Sequence, residues 1–198
     1  MTDPTTRLAA LGRDSVALHP PVLPPSDVSY VVEDTAIGRI LLARNASGAL
    51  LASAFVPGTD DEDRVLSRIS ERVSPRVLRQ PRELDLARTE LEAFLAGRSK
   101  GFTVRTDLAL ASGFQRAVLP RLASTVGYGH RATYGQLAAR IDRPTAARAV
   151  GAALGANPLC VVLPCHRIVA SDGALTGYAG GLAAKRFLLE LEAGAAPR

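Results

Sequence analysis

The chain has 198 residues, of which 47% are hydrophobic and 22% charged, an ordinary globular composition with room for one large domain or two small ones. Its apolar runs are too short to cross a bilayer, and its N-terminus lacks the basic and apolar regions of a secretory signal. The only cysteines are Cys160 and Cys165, which excludes a disulfide-stapled scaffold and predicts a cytoplasmic protein with reduced thiols.

The net charge of +5 is unevenly distributed. Residues 1–106 carry 14 basic and 14 acidic side chains, whereas residues 107–198 carry 10 basic and 5 acidic ones. A positive excess confined to one half favours a polyanion site there. The basic residues are 22 arginines and 2 lysines, a bias that codon usage alone could produce, so charge by itself leaves a nucleic-acid partner open.

The N-terminal half is predicted to be an extension followed by a small α/β domain. Four prolines between residues 20 and 25 interrupt regular structure at the end of the extension, residues 1–26, in which Thr5–Leu18 suits a short helix. Three strands and two amphipathic helices are then predicted at Val28–Val32, Arg39–Ala43, Ala49–Phe55, Asp60–Val73 and Leu84–Ala96. Residues 27–105 contain no cysteine or histidine, so a structural role is expected.

Residues 106–198 are predicted to be mainly helical. Four helices and one short apolar strand are predicted at Ser112–Val126, Tyr134–Arg140, Pro144–Ala156, Ala183–Glu192 and, for the strand, Leu159–Leu163. Three residues join the second and third helices, the spacing of a helix-turn-helix, and Pro144 suits the first position of the third helix. The strand and a glycine-rich loop at Ser171–Gly181 then predict a winged helix.

The tetrapeptide Pro164-Cys165-His166-Arg167 is the chemically most suggestive segment. A cysteine reacts as its thiolate, so a nucleophile needs a nearby base or positive field, which the histidine or arginine could supply. Adjacent side chains of a strand point to opposite faces, so a turn would be needed to bring them together. The tetrapeptide alone fits a nucleophile and an inert buried cysteine equally well. The sequence contains no phosphate-binding loop and no cluster of cysteines and histidines with the spacing of a zinc site. We therefore predict that the protein binds no cofactor and no metal.

The predicted helix Pro144–Ala156 consists almost entirely of small residues, with Arg148 as its one basic side chain. Such a helix can approach another surface closely, although a tightly packed core helix has the same composition. Reading base edges in the major groove uses Arg, Asn and Gln. An alanine-rich face is therefore better suited to a minor groove, with Arg148 as a wedge beside a nucleotide flipped out of the duplex.

These segments together resemble the O6-alkylguanine-DNA alkyltransferases, also called methylated-DNA–protein-cysteine methyltransferases. The resemblance is carried, in the family's order and spacing, by Phe114-Gln115-Arg116, Gly127-Tyr128-Gly129, Thr133-Tyr134-Gly135, Ala146–Gly151, Asn157-Pro158, Leu163–Val169, Gly177–Gly181 and Lys185–Glu192. It is strong over Thr103–Gly194 and weak over Val28–Arg98. It implies a ribonuclease-H-like N-terminal domain and a C-terminal winged helix-turn-helix domain.

The resemblance implies irreversible, single-turnover transfer of an alkyl group from O6-alkylguanine, and from O4-methylthymine, to Cys165 after the nucleotide is flipped through the minor groove. His166 would act as the base through a water, and Glu192 would orient and charge-stabilise it. Asn157 would hold the active-site turn, and Tyr134 would donate a proton or hydrogen bond to the departing purine. The partner would be double-stranded DNA, bound by a monomer without metal or cofactor.

Further residues are implied on the DNA surface and in the alkyl pocket. Arg148 would replace the flipped base in the stack. The other DNA contacts would be Ala146, Ala147, Ala149, Gly151, Thr133, Arg143, Ser171 and Gln115. The pocket would be lined by Tyr178, Ala179, Ile168 and Pro164. This chain has Ala179 where some relatives have serine, Leu119 where many have tryptophan and Gly127 where proline is common.

Three alternatives compete with this interpretation. A non-catalytic lesion sensor would lack the nucleophile, so Cys165 argues against it. A winged-helix regulator with a structural cysteine would bind DNA without transferring an alkyl group. A thiol hydrolase with a Cys–His–Glu triad would turn over repeatedly and would leave the helix-turn-helix unexplained.

Overall fold

The computed structural model describes residues 27–194, so the predicted extension and its Thr5–Leu18 helix lie outside the described residues. The elements are β1 (Val28–Thr35), β2 (Gly38–Asn45), β3 (Leu50–Phe55), α1 (Thr59–Arg72), β4 (Val77–Arg79), α2 (Asp85–Leu95), α3 (Gly113–Thr125), β5 (Ala132–Thr133), α4 (Tyr134–Arg140), α5 (Ala147–Gly155), β6 (Ile168–Val169) and α6 (Gly181–Glu192). The three N-terminal strands and the helices are confirmed, with α5 beginning later than predicted.

The N-terminal sheet has the strand order β3-β2-β1-β4, in which β1 to β3 form an antiparallel meander and β4 runs parallel to β1. Successive side chains of β2 alternate between its faces, as expected for a strand. Leu41 and Ala43 pack in one cluster with Ile69 of α1, whereas Ile40 and Leu42 belong to the other cluster. The sheet is therefore covered on both faces.

The two predicted halves share one hydrophobic core. Ile40 and Leu42 of the sheet pack in the same buried cluster as Phe94 of α2, Val118 of α3 and Leu188 of α6. Because this cluster crosses the boundary predicted near residue 105, the sheet and the helical half support each other through direct apolar burial.

Local sequence signals account for the starts of α3 and α4. Ser112 accepts a hydrogen bond from the backbone N–H of Gln115, whose side chain accepts one in return from the Ser112 N–H. Thr133 and Gln136 form the same reciprocal capping box at α4. The turn between α4 and α5 explains the late start of α5, because Pro144 occupies a β-turn closed by the bond from Ala146 N–H to Arg143 O, 2.9 Å long.

The predicted strand Leu159–Leu163 is wrong, because this segment is a turn. Val161 has φ of 70°, a left-handed conformation that β-branched residues rarely adopt, and Val162 N–H donates to Cys160 O at 2.8 Å across it. Only Leu159 forms an isolated bridge, to Ser53. The strand that was predicted to begin the wing, Leu159–Leu163, is therefore absent. The short strand β6 pairs in parallel with β5. Among residues 27–194, no helix is long and apolar enough to span a membrane.

Candidate active site

Cys165 follows two consecutive tight turns. After the turn at Val161, Pro164 has φ of −79° and ψ of 60°, and Cys165 N–H donates back to Leu163 O at 2.8 Å, which is an inverse γ-turn. Cys165–Arg167 then form a single turn of 3-10 helix. This supplies the turn that the sequence required, and it buries the cysteine and His166, with 6% and 0% of their surfaces exposed.

The buried side chain of Asn157 holds the segment before Cys165 in place by hydrogen bonds to both of its ends. Its Nδ2 donates to Leu163 O at 3.0 Å and lies 3.2 Å from Cys165 Sγ, and its Oδ1 accepts from Leu159 N–H at 3.0 Å. The backbone oxygen of Asn157 lies 3.4 Å from Cys160 Sγ. Both free, buried thiols therefore contact the same asparagine.

The N-terminal sheet fixes the start of the same segment through Ser53, a residue that the sequence analysis did not identify. Ser53 N–H donates to Pro158 O, Cys160 N–H donates to Ser53 O, and Ser53 Oγ donates to Cys160 O, each at 2.8 Å. Ser53 is completely buried. The outer edge of β3 is thus hydrogen-bonded to the segment that leads to Cys165, so a domain predicted to be only structural helps to hold that segment in place.

The surroundings of Cys165 favour its thiolate. The neighbouring Cys160 thiol is the main cause that lowers the pKa of Cys165; burial opposes it, and Asn157 and the Lys185 ammonium assist. The pKa of Cys160 is raised well above its usual value by the neighbouring Cys165 and by burial. Cys160 therefore stays protonated, and its thiol donates to the backbone oxygen of Asn157 at 3.4 Å.

His166 and Glu192 form a buried pair, 26 residues apart in sequence, with Nε2 and Oε1 2.8 Å apart. Burial lowers the pKa of His166 despite the carboxylate beside it. Burial opposes ionisation of Glu192, but hydrogen bonds from His166 and Arg167 lower its pKa to about 2. The carboxylate is thus ionised and the imidazole neutral. With Nε2–H donating to Glu192, the unprotonated Nδ1 is left without a partner among the described residues.

Arg167 holds the carboxylate in place. Its Nε and Nη2 donate to Glu192 at 2.9 Å each, and its Nη1 donates to Val126 O at 2.7 Å. Gly129 N–H is the third residue, after His166 and Arg167, that donates to the carboxylate, at 3.1 Å. A buried ion pair with this many hydrogen bonds leaves Glu192 little freedom to turn away from the histidine.

Tyr178 forms an aromatic wall beside His166. Its ring lies edge-on to those of Phe55 and His166, with centroids 5.4 and 6.4 Å away. Its hydroxyl is buried without a hydrogen-bond partner in residues 27–194, and burial raises its pKa well above the usual value. A Cβ at Gly180 would lie 2.5 Å from the Phe55 ring, so a side chain there would force that ring to move. Of the other predicted pocket residues, Pro164 and Ile168 are buried and Ala179 is exposed.

Most of the predicted DNA-contacting residues lie around one cavity of about 670 Å³ beside α4 and α5. Its lining includes Thr133, Tyr134, Ala147, Arg148, Gly151, Ser171 and Thr176. Ala149 and Arg143 are exposed outside it, Ala146 is half-buried, and the Arg143 guanidinium lies 5.9 Å from the Phe114 ring centroid. The loop residue Thr176, which the sequence analysis did not identify, pairs its Oγ1 with the hydroxyl of Tyr134 at 2.9 Å.

The prediction that Gln115 contacts DNA is wrong. Its side chain is buried, and Nε2 donates to Ala153 O at 3.0 Å and to Ala156 O at 2.7 Å. Its Oε1 is occupied by Ser112 N–H. Gln115 therefore ties α3 to the end of α5, and the Ser-x-x-Gln capping spacing was the signal for an internal role. No group of three or more metal-binding side chains occurs within residues 27–194.

The chain is similar to known proteins over most of its length. Residues 113–194 match the family model described as "6-O-methylguanine DNA methyltransferase, DNA binding domain". The methylated-DNA–protein-cysteine methyltransferase of Mycobacterium tuberculosis is 37% identical over 170 residues, which cover 86% of this chain and 95% of that protein. The protein of the same name from Methanosarcina barkeri is 38% identical over 166 residues, covering 82% and 96%.

Solved structures agree with the sequence matches. A crystal structure of Mycobacterium tuberculosis O6-methylguanine methyltransferase has a TM-score of 0.72 at 36% identity, covering 86% of this chain and 95% of that one. A structure of Mycobacterium tuberculosis OGT in complex with DNA has the same TM-score and identity, with 85% and 95% coverage. The similarity therefore spans the sheet and the helical half.

Proposed function

Because the chain belongs to the family of methylated-DNA–protein-cysteine methyltransferases, we propose that it repairs DNA by moving an alkyl group from a damaged base to the sulfur of its own Cys165. The observation that carries the proposal is the buried thiol whose neighbours favour the anion, followed by a neutral histidine with a free Nδ1. This arrangement supports a nucleophile with its own base.

The proposed reaction is a displacement at an alkyl carbon. The Cys165 proton passes through a water to Nδ1 of His166, and the resulting imidazolium is stabilised by the Glu192 carboxylate, 2.8 Å from Nε2. The thiolate forms a bond to the alkyl carbon while the bond between that carbon and guanine O6 breaks. The electron pair leaves with guanine, which gains a proton from the hydroxyl of Tyr134 as it departs.

The product is a thioether on Cys165, whose sulfur is no longer a thiol and cannot act as a nucleophile again. We therefore expect one transfer per molecule, with no turnover. Lesions that place an alkyl group on an exocyclic oxygen fit this chemistry, and we propose O6-alkylguanine and O4-methylthymine as substrates.

We propose that the cavity beside α4 and α5 faces the minor groove of double-stranded DNA. Arg148 projects from a helix of small residues and would fill the gap in the stack left by a flipped nucleotide. Thr133, Arg143, Ser171 and the small residues of α5 are proposed to contact the duplex nearby. The DNA-bound relative with a TM-score of 0.72 supports a DNA partner.

We further propose the domain architecture that the resemblance implied. Strand order β3-β2-β1-β4 with β4 parallel to β1 is compatible with a ribonuclease-H-like sheet over residues 27–105. Helices α4 and α5 are compatible with the helix-turn-helix of a winged domain over residues 106–198. The protein is proposed to act as a cytoplasmic monomer.

The proposal is tested by titrating the protein with a duplex that carries one O6-[methyl-³H]methylguanine, in rising excess. We expect protein-bound label to stop at one methyl per protein molecule, to disappear in Cys165→Ala and to persist in the matched control Cys160→Ala. Release of more than one product per molecule would favour the thiol hydrolase. Duplex binding without any transfer would favour a sensor or a regulator.

A further inference from the structure

The hydroxyl of Tyr134 is engaged in a hydrogen bond before any substrate arrives. It lies 2.9 Å from Oγ1 of Thr176, and either oxygen can be the donor. The Tyr134 ring rests against Gly151 of α5, where an added Cβ would lie 3.6 Å from it. Tyr134 is thus fixed by its helix, by the helix that follows and by a loop hydroxyl.

Thr176 is itself held by a buried ammonium group. The Thr176 carbonyl accepts a hydrogen bond from Nζ of Lys185 at 3.0 Å, and the same Nζ donates to Ile168 O at 2.6 Å. Lys185 is completely buried. Burial lowers its pKa, with the Cys165 thiolate opposing that shift. Lys185 therefore links the backbone of Thr176 to that of Ile168, two residues after His166. This link restricts the position of the Thr176 side chain.

The direction of the hydrogen bond matters for proton transfer. When Tyr134 gives its proton to the departing base, negative charge develops on the phenolic oxygen. A donor already aimed at that oxygen stabilises the charge without reorganisation. With Thr176 Oγ1–H as the donor of this hydrogen bond, the phenolic proton of Tyr134 is left free to point towards the base.

We propose that Thr176 is a positioning residue that donates its hydroxyl proton to Tyr134 and thereby directs the tyrosine proton to the leaving purine. The proposal rests on the proposed alkyl transfer and names a further residue of that site. One proton moves from Tyr134 to the purine as the bond between the alkyl carbon and O6 breaks. The Thr176 proton is not transferred, and Tyr134 regains its own proton from solvent.

The test uses Thr176→Val, which keeps the shape but removes the hydroxyl, and Thr176→Ser, which keeps the donor. Single-turnover methyl transfer from duplex O6-methylguanine should slow about tenfold in the valine variant, the effect of losing one hydrogen bond to a developing charge. The serine variant should remain within about twofold of the unmodified chain. In a Tyr134→Phe background, Thr176→Val should cause no further loss, because nothing remains to accept its proton.

A second substrate separates this role from loop packing. Iodoacetamide alkylates a cysteine without a purine leaving group, so its rate at Cys165, followed by peptide mass, should be equal in Thr176→Val and the unmodified chain. A valine variant that repairs duplex at the normal rate, or that loses further rate in the Tyr134→Phe background, contradicts the proposal. Absence of methyl transfer in the unmodified chain would instead contradict the proposed function.

Discussion

His166 Nε2 lies 2.8 Å from Glu192 Oε1, and this contact determines which histidine nitrogen remains free. Because the ionised carboxylate accepts a hydrogen bond from Nε2–H, the lone pair lies on Nδ1 of a histidine that shares its turn with Cys165. We propose that Glu192 orients the imidazole of His166 and stabilises its charged form. Residues distant in sequence come together only because α6 packs against the active-site turn.

Glu192→Gln keeps an acceptor for the histidine but removes the charge that stabilises the imidazolium. We expect the single-turnover rate of methyl transfer to fall about 100-fold, within the usual contribution of acid–base catalysis. Glu190→Gln, on the same helix, is the matched control and should change the rate less than about twofold. A Glu192→Gln protein that transfers methyl as fast as the control would show that the carboxylate takes no part in deprotonation.

The Glu192 carboxylate should make the free energy of unfolding depend on pH. Its pKa is about 2 in the folded chain against an ordinary value of 4.5, which corresponds to about 3 kcal/mol of folding free energy. The sign follows from the lowered pKa: this contribution is complete above pH 4.5 and is lost as pH falls towards 2. Urea unfolding should therefore show the advantage of the unmodified chain over Glu192→Gln shrinking between these values. A difference that stays constant with pH would contradict the ion pair.

Cys160 is expected to tune the nucleophile. Its buried thiol contributes most to lowering the pKa of Cys165, so Cys160→Ala should raise that pKa and shift the pH profile of benzyl transfer from free O6-benzylguanine upwards. At pH values below the midpoint the alanine variant should react about threefold more slowly, and the rates should converge at high pH. Cys160→Ser, which retains a polar hydroxyl beside Cys165, is the matched control with a smaller shift. Superimposable profiles for the alanine variant and the unmodified chain would refute the role.

Arg148 is expected to act on duplex and not on the chemistry. Arg148→Ala should slow repair of duplex O6-methylguanine at least tenfold, roughly the effect of losing one important charged contact, because nothing then fills the gap left by the flipped nucleotide. Reaction with free O6-benzylguanine should be unchanged. Arg79→Ala, an exposed arginine on β4, controls for the loss of net charge. Equal losses on duplex and free base would contradict a role in flipping.

Ser53 joins the N-terminal sheet to Pro158 and Cys160 by hydrogen bonds. We therefore expect the N-terminal sheet to affect the reaction. Ser53→Ala removes the hydrogen bond to Cys160 O and should lower the free energy of unfolding by about 1 kcal/mol. It should also slow the reaction with free O6-benzylguanine, because the turn before Cys165 loses an anchor. The exposed Ser67→Ala on α1 is the control. Loss of stability without any change in rate would confine Ser53 to a structural role.

Short-range patterns predicted the elements well, and long-range contacts explain what they missed. The alternation of β2 and the capping boxes at Ser112 and Thr133 are local, so they are readable from sequence. Five apolar residues at Leu159–Leu163 have the pattern of a strand, but their conformation is imposed from outside. Ser53 forms a bridge to Leu159 and hydrogen bonds to Cys160, and the Asn157 side chain donates to the carbonyl of Leu163 at the far end.

In the candidate site too, some residues are identified by local sequence patterns and others only by contacts between distant parts of the chain. Cys165 and His166 stand out in the sequence as neighbours, whereas Glu192 was identified only through the family resemblance. Thr176 was missed because nothing in a threonine within a glycine-rich loop indicates a phenol 2.9 Å away. Gln115 was assigned to DNA because it lies in a matched motif, although its amide is fully used inside the fold.

We expect one alkyl group to be bound to one particular sulfur, that of Cys165. After reaction with excess duplex carrying O6-methylguanine, proteolysis and tandem mass spectrometry should find methyl on Cys165 in every molecule, with Cys160, which shares Asn157, unmodified. Methyl on Cys160, on both cysteines or on neither would contradict transfer to Cys165 alone.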